Sequence, residues 1–249
     1  MTGAGVSFLL NSSKRFRRLA RLTYVPRVQT GIVCLLGAAL GLLAAETSRT
    51  GPDLDQVLSR IERHYNSLGT LRVKFAQTIT QSGRPKIHET GTLSLLRPKK
   101  MRWDYEQPRG KLLVGDGDLL HLYNPRTNQV RPFRLDKTGD LRAPLSFLLG
   151  RLKFRRQFRN LRIEEIGGQP AVVGEGRRDK DYYSRVEFIY RPGIFSFALL
   201  RITGRDGSLT TFAFEDEEIN PRLDPALFRF VAPAGAEVLE PPHLAGGSQ

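Results

Sequence analysis

Leu71-Arg72-Val73-Lys74-Phe75-Ala76-Gln77-Thr78-Ile79 opens with apolar residues alternating with charged or small ones, the period of a strand with one wet face. Just before it, Leu54, Val57, Leu58, Ile61, Tyr65 and Leu68 recur at three- and four-residue intervals, which places them on one stripe of a helix. Asp53 is suited to cap that helix, Gln56 stands three positions later as in a capping box, and Gly69 supplies a stop. The change of period at Gly69 marks where a single amphipathic helix gives way to a β structure.

Turn residues then recur at short intervals: Ser82-Gly83-Arg84-Pro85, Arg97-Pro98-Lys99-Lys100, Gln107-Pro108-Arg109-Gly110, Gly115-Asp116-Gly117, Asn124-Pro125, Gly167-Gly168, Arg191-Pro192-Gly193 and Gly204-Arg205-Asp206-Gly207. Between them lie segments of strand length: 92–96, 101–105, 111–114, 119–123, 162–166, 171–174, 184–190, 197–203 and 209–214. Such spacing predicts antiparallel hairpins rather than strand–helix–strand units. Two interruptions stand out. Pro144 to Gly150 encloses Leu145, Phe147, Leu148 and Leu149 between a helix-start proline and a glycine, and Asp224-Pro225-Ala226-Leu227-Phe228 reads as one capped turn before a last strand at 229–232.

The N-terminus has a different character. Residues 1–45 carry Lys14, Arg15, Arg17, Arg18, Arg21 and Arg27 with no acidic residue, then an apolar run from Gly31 to Leu43 and the pair Ala44-Ala45. That is the layout of a secretory signal, and a run of about 13 residues is short of the ~20 that span a bilayer. A cleaved signal over 1–45, a linker over 46–52, one domain over 53–238 and a disordered tail over 239–249 are expected. Cys34, the single cysteine, falls inside the signal, so the exported part would stand without disulfides. The six basic residues of the signal leave 33 of 39 against 25 acids, a net charge of +8 in place of +14. A basic surface on an exported chain points to anionic membrane surfaces or acidic partners and away from nucleic acid.

Chemistry-bearing patterns are scarce. His64, His88, His121 and His243 are scattered without metal-ligand spacing, and no nucleophile elbow, phosphate loop or dinucleotide fingerprint is present. Gly115-Asp116-Gly117-Asp118 lacks the later ligands of a calcium loop and reads as a hairpin turn. Asp104 and Glu106 are two carboxylates on one strand face, but their alternation with Trp103 and Tyr105 is that of solvent-facing residues. No enzyme activity, cofactor or metal is expected. The run from Arg151 to Arg159, basic residues interleaved with Leu152, Phe154 and Phe158, reads either as a solvated face beside packed aromatics or as a docking patch for anionic lipid or a partner.

From Asp53 to Val238 the chain resembles the LolA family of periplasmic outer-membrane lipoprotein carriers. The resemblance rests on ordered pieces: the opening helix; Val73-Lys74-Phe75-Ala76-Gln77; Gly91-Thr92-Leu93 leading to Leu96-Arg97-Pro98-Lys99-Lys100-Met101-Arg102-Trp103; Tyr105 to Pro108; Val114-Gly115-Asp116-Gly117; Tyr123-Asn124-Pro125; Pro144 to Gly150; and Asp224 to Phe230 with Pro233 and Gly235. It implies a mainly β (α+β) fold, an incomplete and strongly curved antiparallel β-barrel with short helices over its concave face. It further implies a periplasmic monomer that carries the acyl chains of lipoproteins from an inner-membrane releasing transporter towards an outer-membrane acceptor. Val73, Phe75, Leu93, Leu95, Met101 and Trp103 are then the expected lipid-facing wall, with room left inside it. Leu145, Phe147, Leu148 and Leu149 become a lid, and Arg97 its latch. The alternative is a related lipid-sensing regulatory module that reports envelope stress to a membrane partner.

Overall fold

The computed structural model describes residues 53–84, 86–117, 119–134, 151–177 and 183–240. The chain enters through helix α1 (Leu54–Asn66) and continues as β1 (Thr70–Thr80), β2 (Ile87–Leu96), β3 (Lys100–Gln107), β4 (Leu112–Gly115), β5 (Leu119–Asn124) and β6 (Gln129–Arg134). After residues 135–150 come a single turn α2 (Phe154–Gln157) and then β7 (Phe158–Ile166), β8 (Gln169–Gly176), β9 (Tyr183–Tyr190), β10 (Phe197–Gly204) and β11 (Leu209–Ile219). A 3₁₀ turn at Pro225–Phe228 and the two-residue strand β12 (Glu237–Val238) complete it. The expected signal and lid, 1–45 and 144–150, lie outside the described residues, as does the expected tail of 239–249 beyond residue 240.

The strands form one sheet in the order β12-β6-β5-β4-β3-β2-β1-β11-β10-β9-β8-β7. All described pairings are antiparallel except β12 on β6. The sheet is strongly curved. Trp103 of β3 and Phe212 of β11 stand three strands apart, about 14 Å in a flat sheet at ~4.8 Å per strand, yet their ring centroids are 5.7 Å apart. Side chains of β1 to β5 and of β8 to β11 accordingly share one core with α1.

Helix α1 ends at Asn66, earlier than Gly69. The Ser67 hydroxyl donates to His64 O at 2.9 Å and the Ser67 amide to Arg63 O, so a serine closes the helix before the glycine is reached. Asp53 caps the start by accepting from the Asp55 amide. Val57, Leu58, Ile61 and Tyr65 lie buried against the sheet, and Leu68, past the helix end, completes the stripe.

The outer face is covered in two ways. Across β7 to β10, Arg162, Glu164, Arg185, Glu187 and Arg201 form a chain of ion pairs with N···O distances of 2.6 to 3.6 Å, laid over the small residues Ala171 and Val173, which are fully buried. Long charged side chains bury apolar surface beneath their stems in this way. Across β3 to β6 the cover is the chain after β11: Arg102 donates to Leu227 O at 2.9 Å, and Phe230 stacks on His121 at 4.7 Å. Val114, in register between Arg102 and His121, is fully buried under it, and Phe228 is 1% exposed. The strand expected at 229–232 is therefore a strap without ladder pairing; the last strand is β12, five residues further on.

Candidate functional site

The six residues of the expected wall all point inward and are buried: Val73 and Phe75 on β1, Leu93 and Leu95 on β2, Met101 and Trp103 on β3. Register aligns them in rows, Leu93 between Val73 and Trp103, and Leu95 between Leu71 and Met101. Gly91 makes this close approach possible, since a Cβ there would stand 2.0 Å from the Asp104 carbonyl oxygen. Above the rows the aromatics interlock, Phe75 meeting Trp103 edge-on at 4.7 Å and Tyr105 at 5.3 Å. On the other flank Phe188 meets Phe154, Phe158 and Phe197 at 5.0 to 5.3 Å.

This aromatic filling bears on the expected hollow. A shallow cleft opens where α1 meets β1 and β2, lined by Tyr65, Leu68, Leu71, Leu95 and Arg97, with room of about 10 Å³, enough for roughly one water and far below the ~300–1,000 Å³ of ordinary small-molecule sites. Around it, inner-face residues of β1 to β5 and of β8 to β11 are buried against one another.

The ties on α1 differ from side to side. Towards β2, Arg97 Nη2 donates to the Tyr65 carbonyl at 2.7 Å, at the helix C-terminus, where a cation also meets the negative end of the helix dipole. Burial, reinforced by the like charge of Arg151, lowers the Arg97 pKa from its ordinary value. This bond to the end of α1 is described; the lid expected at 144–150, to which the resemblance ties Arg97, lies outside the described residues. Towards β10 and β11 the Tyr65 hydroxyl accepts from the Phe197 amide at 2.8 Å, and His64 pairs with Glu217 at 3.0 Å. Burial, with the nearby Glu217 charge, raises the Tyr65 pKa well above the usual phenol value. Glu217 reaches the helix because the β1–β11 ladder shifts register between Arg72 and Lys74, opposite Asp216 at φ 52°, and such a bulge re-aims the following side chains.

The segment entering β7 is bound to the same helix. Asn66 exchanges two hydrogen bonds with the Leu152 backbone, at 2.9 and 2.7 Å, much as a neighbouring strand would. Glu62 accepts from the Phe154 amide at 2.9 Å, and Arg155 pairs with Asp55. These polar ties were not foreseen. Their signal was the placement of Asp55, Glu62 and Asn66 on α1 beside a basic segment, a pairing that spacing alone does not reveal. The basic run thus divides: Leu152, Phe154 and Phe158 are core, Lys153, Arg155 and Arg159 pair with Glu62, Asp55 and Glu175, and Arg151 and Arg156 are exposed.

Of the carboxylates considered for chemistry, Asp104 is held by Arg102 at 2.8 Å on the outer face and Glu106 is exposed at the strand end. Gly115 to Gly117 form the β4–β5 turn, with the Asp116 side chain accepting from the Leu119 amide. Among the described residues no group of three His, Cys, Asp or Glu gathers as a metal site. Among the described residues three buried side-chain atoms lack a hydrogen-bond partner: Trp103 Nε1, Thr210 Oγ1 and Gln157 Oε1. Each such orphan costs about 1–3 kcal/mol.

A curved sheet with an apolar inner face, closed by a helix tied at its rim, defines a class of open half-barrels. Within that class, residues 66–231 match the family model described as outer membrane lipoprotein carrier protein LolA, and the chain belongs to that family. An outer-membrane lipoprotein carrier protein of Nitrosospira multiformis is 31% identical over 172 residues, covering 68% of this chain and 82% of its own. A second, from Nitrosomonas europaea, is 32% identical over 178 residues, covering 70% and 84%. Among solved structures, a LolA-superfamily protein of Nitrosomonas europaea superposes with a TM-score of 0.42 at 10% identity, over 71% of this chain and 97% of the other.

Proposed function

We propose that this protein is a periplasmic lipoprotein carrier, exported by the signal at 1–45, that accepts acyl chains against the wall of Val73, Phe75, Leu93, Leu95, Met101 and Trp103 and ferries them from inner to outer membrane. The observation that carries the reading is the continuous apolar inner face, gathered into one core with a helix as its cover, in a member of the carrier family. Burying a chain of 14 to 16 methylenes is worth roughly 11 to 13 kcal/mol at ~0.8 kcal/mol each. That drives uptake from water without covalent chemistry.

Release requires that the closed form compete. The side chains that fill the interior do so by covering the same apolar surface that the cargo would cover, so loaded and closed forms exclude one another. Arg97 contributes a charge-assisted bond of about 1.5–3 kcal/mol to closure, enough to bias the exchange and too little to forbid opening. Leu145, Phe147, Leu148 and Leu149 add further cover as the lid. An inner-membrane releasing transporter, an outer-membrane acceptor and anionic headgroups are the partners this cycle calls for.

The test is mass spectrometry of the protein isolated from its own envelope. Lipoproteins that co-purify with the native protein support the reading; their absence, together with no uptake of a fluorescent apolar probe by either the native protein or Arg97→Leu, refutes it.

A further inference from the structure

Trp103 is the chain's single tryptophan and its side chain is 1% exposed. Its ring lies among Phe75, Tyr105 and Phe212, yet its Nε1–H has no hydrogen-bond partner. Thr210 Oγ1 shares the condition. Thr210 is fully buried on β11, two residues from Phe212, and pairs in register with Ile79 of β1 and Ile202 of β10.

Two unpaired polar groups on the inner face, one on a ring 5.7 Å from Phe212 and one two residues from Phe212 along β11, are an unusual way to fill a core, because buried polar side chains are nearly always bonded. Phenylalanine and valine would occupy the same positions with no orphaned donor. An indole N–H can only donate, and a threonine hydroxyl can donate or accept, so both suit a ligand that brings acceptor oxygens into apolar surroundings. Hydrocarbon has none. A carboxylate would carry its charge in among Phe75 and Phe212, at a high desolvation cost. A neutral carbonyl flanked by methylenes meets both requirements.

We infer that Trp103 Nε1 and Thr210 Oγ1 form a polar subsite for the ester or amide carbonyls of an acylated ligand, at the junction where its chains leave the head. This rests on the carrier reading, since a ligand reaches Trp103 when the interior opens. The subsite fixes how deep a chain sits: the carbonyl stops at Trp103, and the methylenes run on over Val73, Leu93 and Leu95. It also gives a preference for acylated lipids over alkyl chains of equal length.

The test compares dipalmitoylglycerol with its dihexadecyl ether analogue, which has the same chains and no carbonyl, in binding to the purified full-length protein. One neutral hydrogen bond predicts an ester preference of about 3- to 10-fold. Emission of the lone tryptophan should shift to the red with the ester and not with the ether. In Trp103→Phe the ester preference should be lost, ester and ether then binding alike whatever their common affinity, and Thr210→Val should narrow it. Equal affinity and identical emission for both lipids overturn the subsite while leaving the carrier intact; binding of neither lipid sinks the carrier reading and the subsite with it. Should Trp103→Phe fail to fold, the emission comparison on the native protein still decides.

Discussion

Helix α1 has two unequal flanks. On the flank towards β7, β10 and β11 it is held by Asn66, Glu62, Asp55, the Tyr65 hydroxyl and His64, with Phe154, Phe158, Phe188 and Phe197 interlocked beneath. On the flank towards β2 it meets Arg97 and the small cleft beside Leu71 and Leu95. The expected lipid wall lies on this second side. Among the described residues the first flank carries more ties, which would make it the hinge and the second the opening edge of a helix that swings as a flap.

The largest effect should come from undermining the hinge. Phe188→Ala removes a fully buried ring that touches three other aromatics, and urea unfolding should show a loss of about 3–5 kcal/mol. A loss below 1 kcal/mol would mean that the two flanks are packed alike. Next comes Asn66→Ala, which strands the Leu152 amide and carbonyl; a loss of about 1–3 kcal/mol is expected, with faster amide exchange confined to residues 151–157. Exchange that quickens along β2 instead would reverse the assignment of hinge and edge.

Arg97→Leu tests the opening edge. The bond it removes is offset by relief of a half-buried charge, so stability should change by about 1 kcal/mol or less. Handover of lipoprotein between membranes should nonetheless be impaired; undiminished transfer would remove Arg97 from the latch. The smallest effect belongs to the outer face. Arg185, hydrogen-bonded to Glu164, holds that carboxyl below its ordinary pKa, so the folded state binds its proton more weakly than the unfolded chain. The contribution is present above the ordinary glutamate value of about 4.3 and is lost as pH falls through the lower folded value. Glu164→Gln should therefore cost no more than about 1 kcal/mol at neutral pH, and the gap from the native protein should close in acid.

The parts legible in sequence were those governed by short-range periodicity. The stripe from Leu54 to Leu68 predicted α1 and its buried face, and the parity of Val73, Phe75, Leu93, Leu95, Met101 and Trp103 predicted which side chains turn inward. What escaped depends on contacts distant along the chain. Strand β6 was missed because Pro132 interrupts it; a proline is tolerated there because β12 pairs with Gln129 and Val130, leaving Pro132 on a free edge. The segment at 229–232 imitates a strand, but Arg102 and His121 capture it as a strap. The orphaned Trp103 and Thr210 are visible only when every neighbour of their polar atoms is in place.

That strap leaves the sheet at β11 and is fastened again at β6, with β5, β4, β3, β2 and β1 lying between. Curling those strands more tightly would lengthen the path it must cover over their outer face and draw Phe228 and Phe230 from their seats. The segment after β11 thus acts as a girth over the back of the vessel, limiting how far its hull can curl.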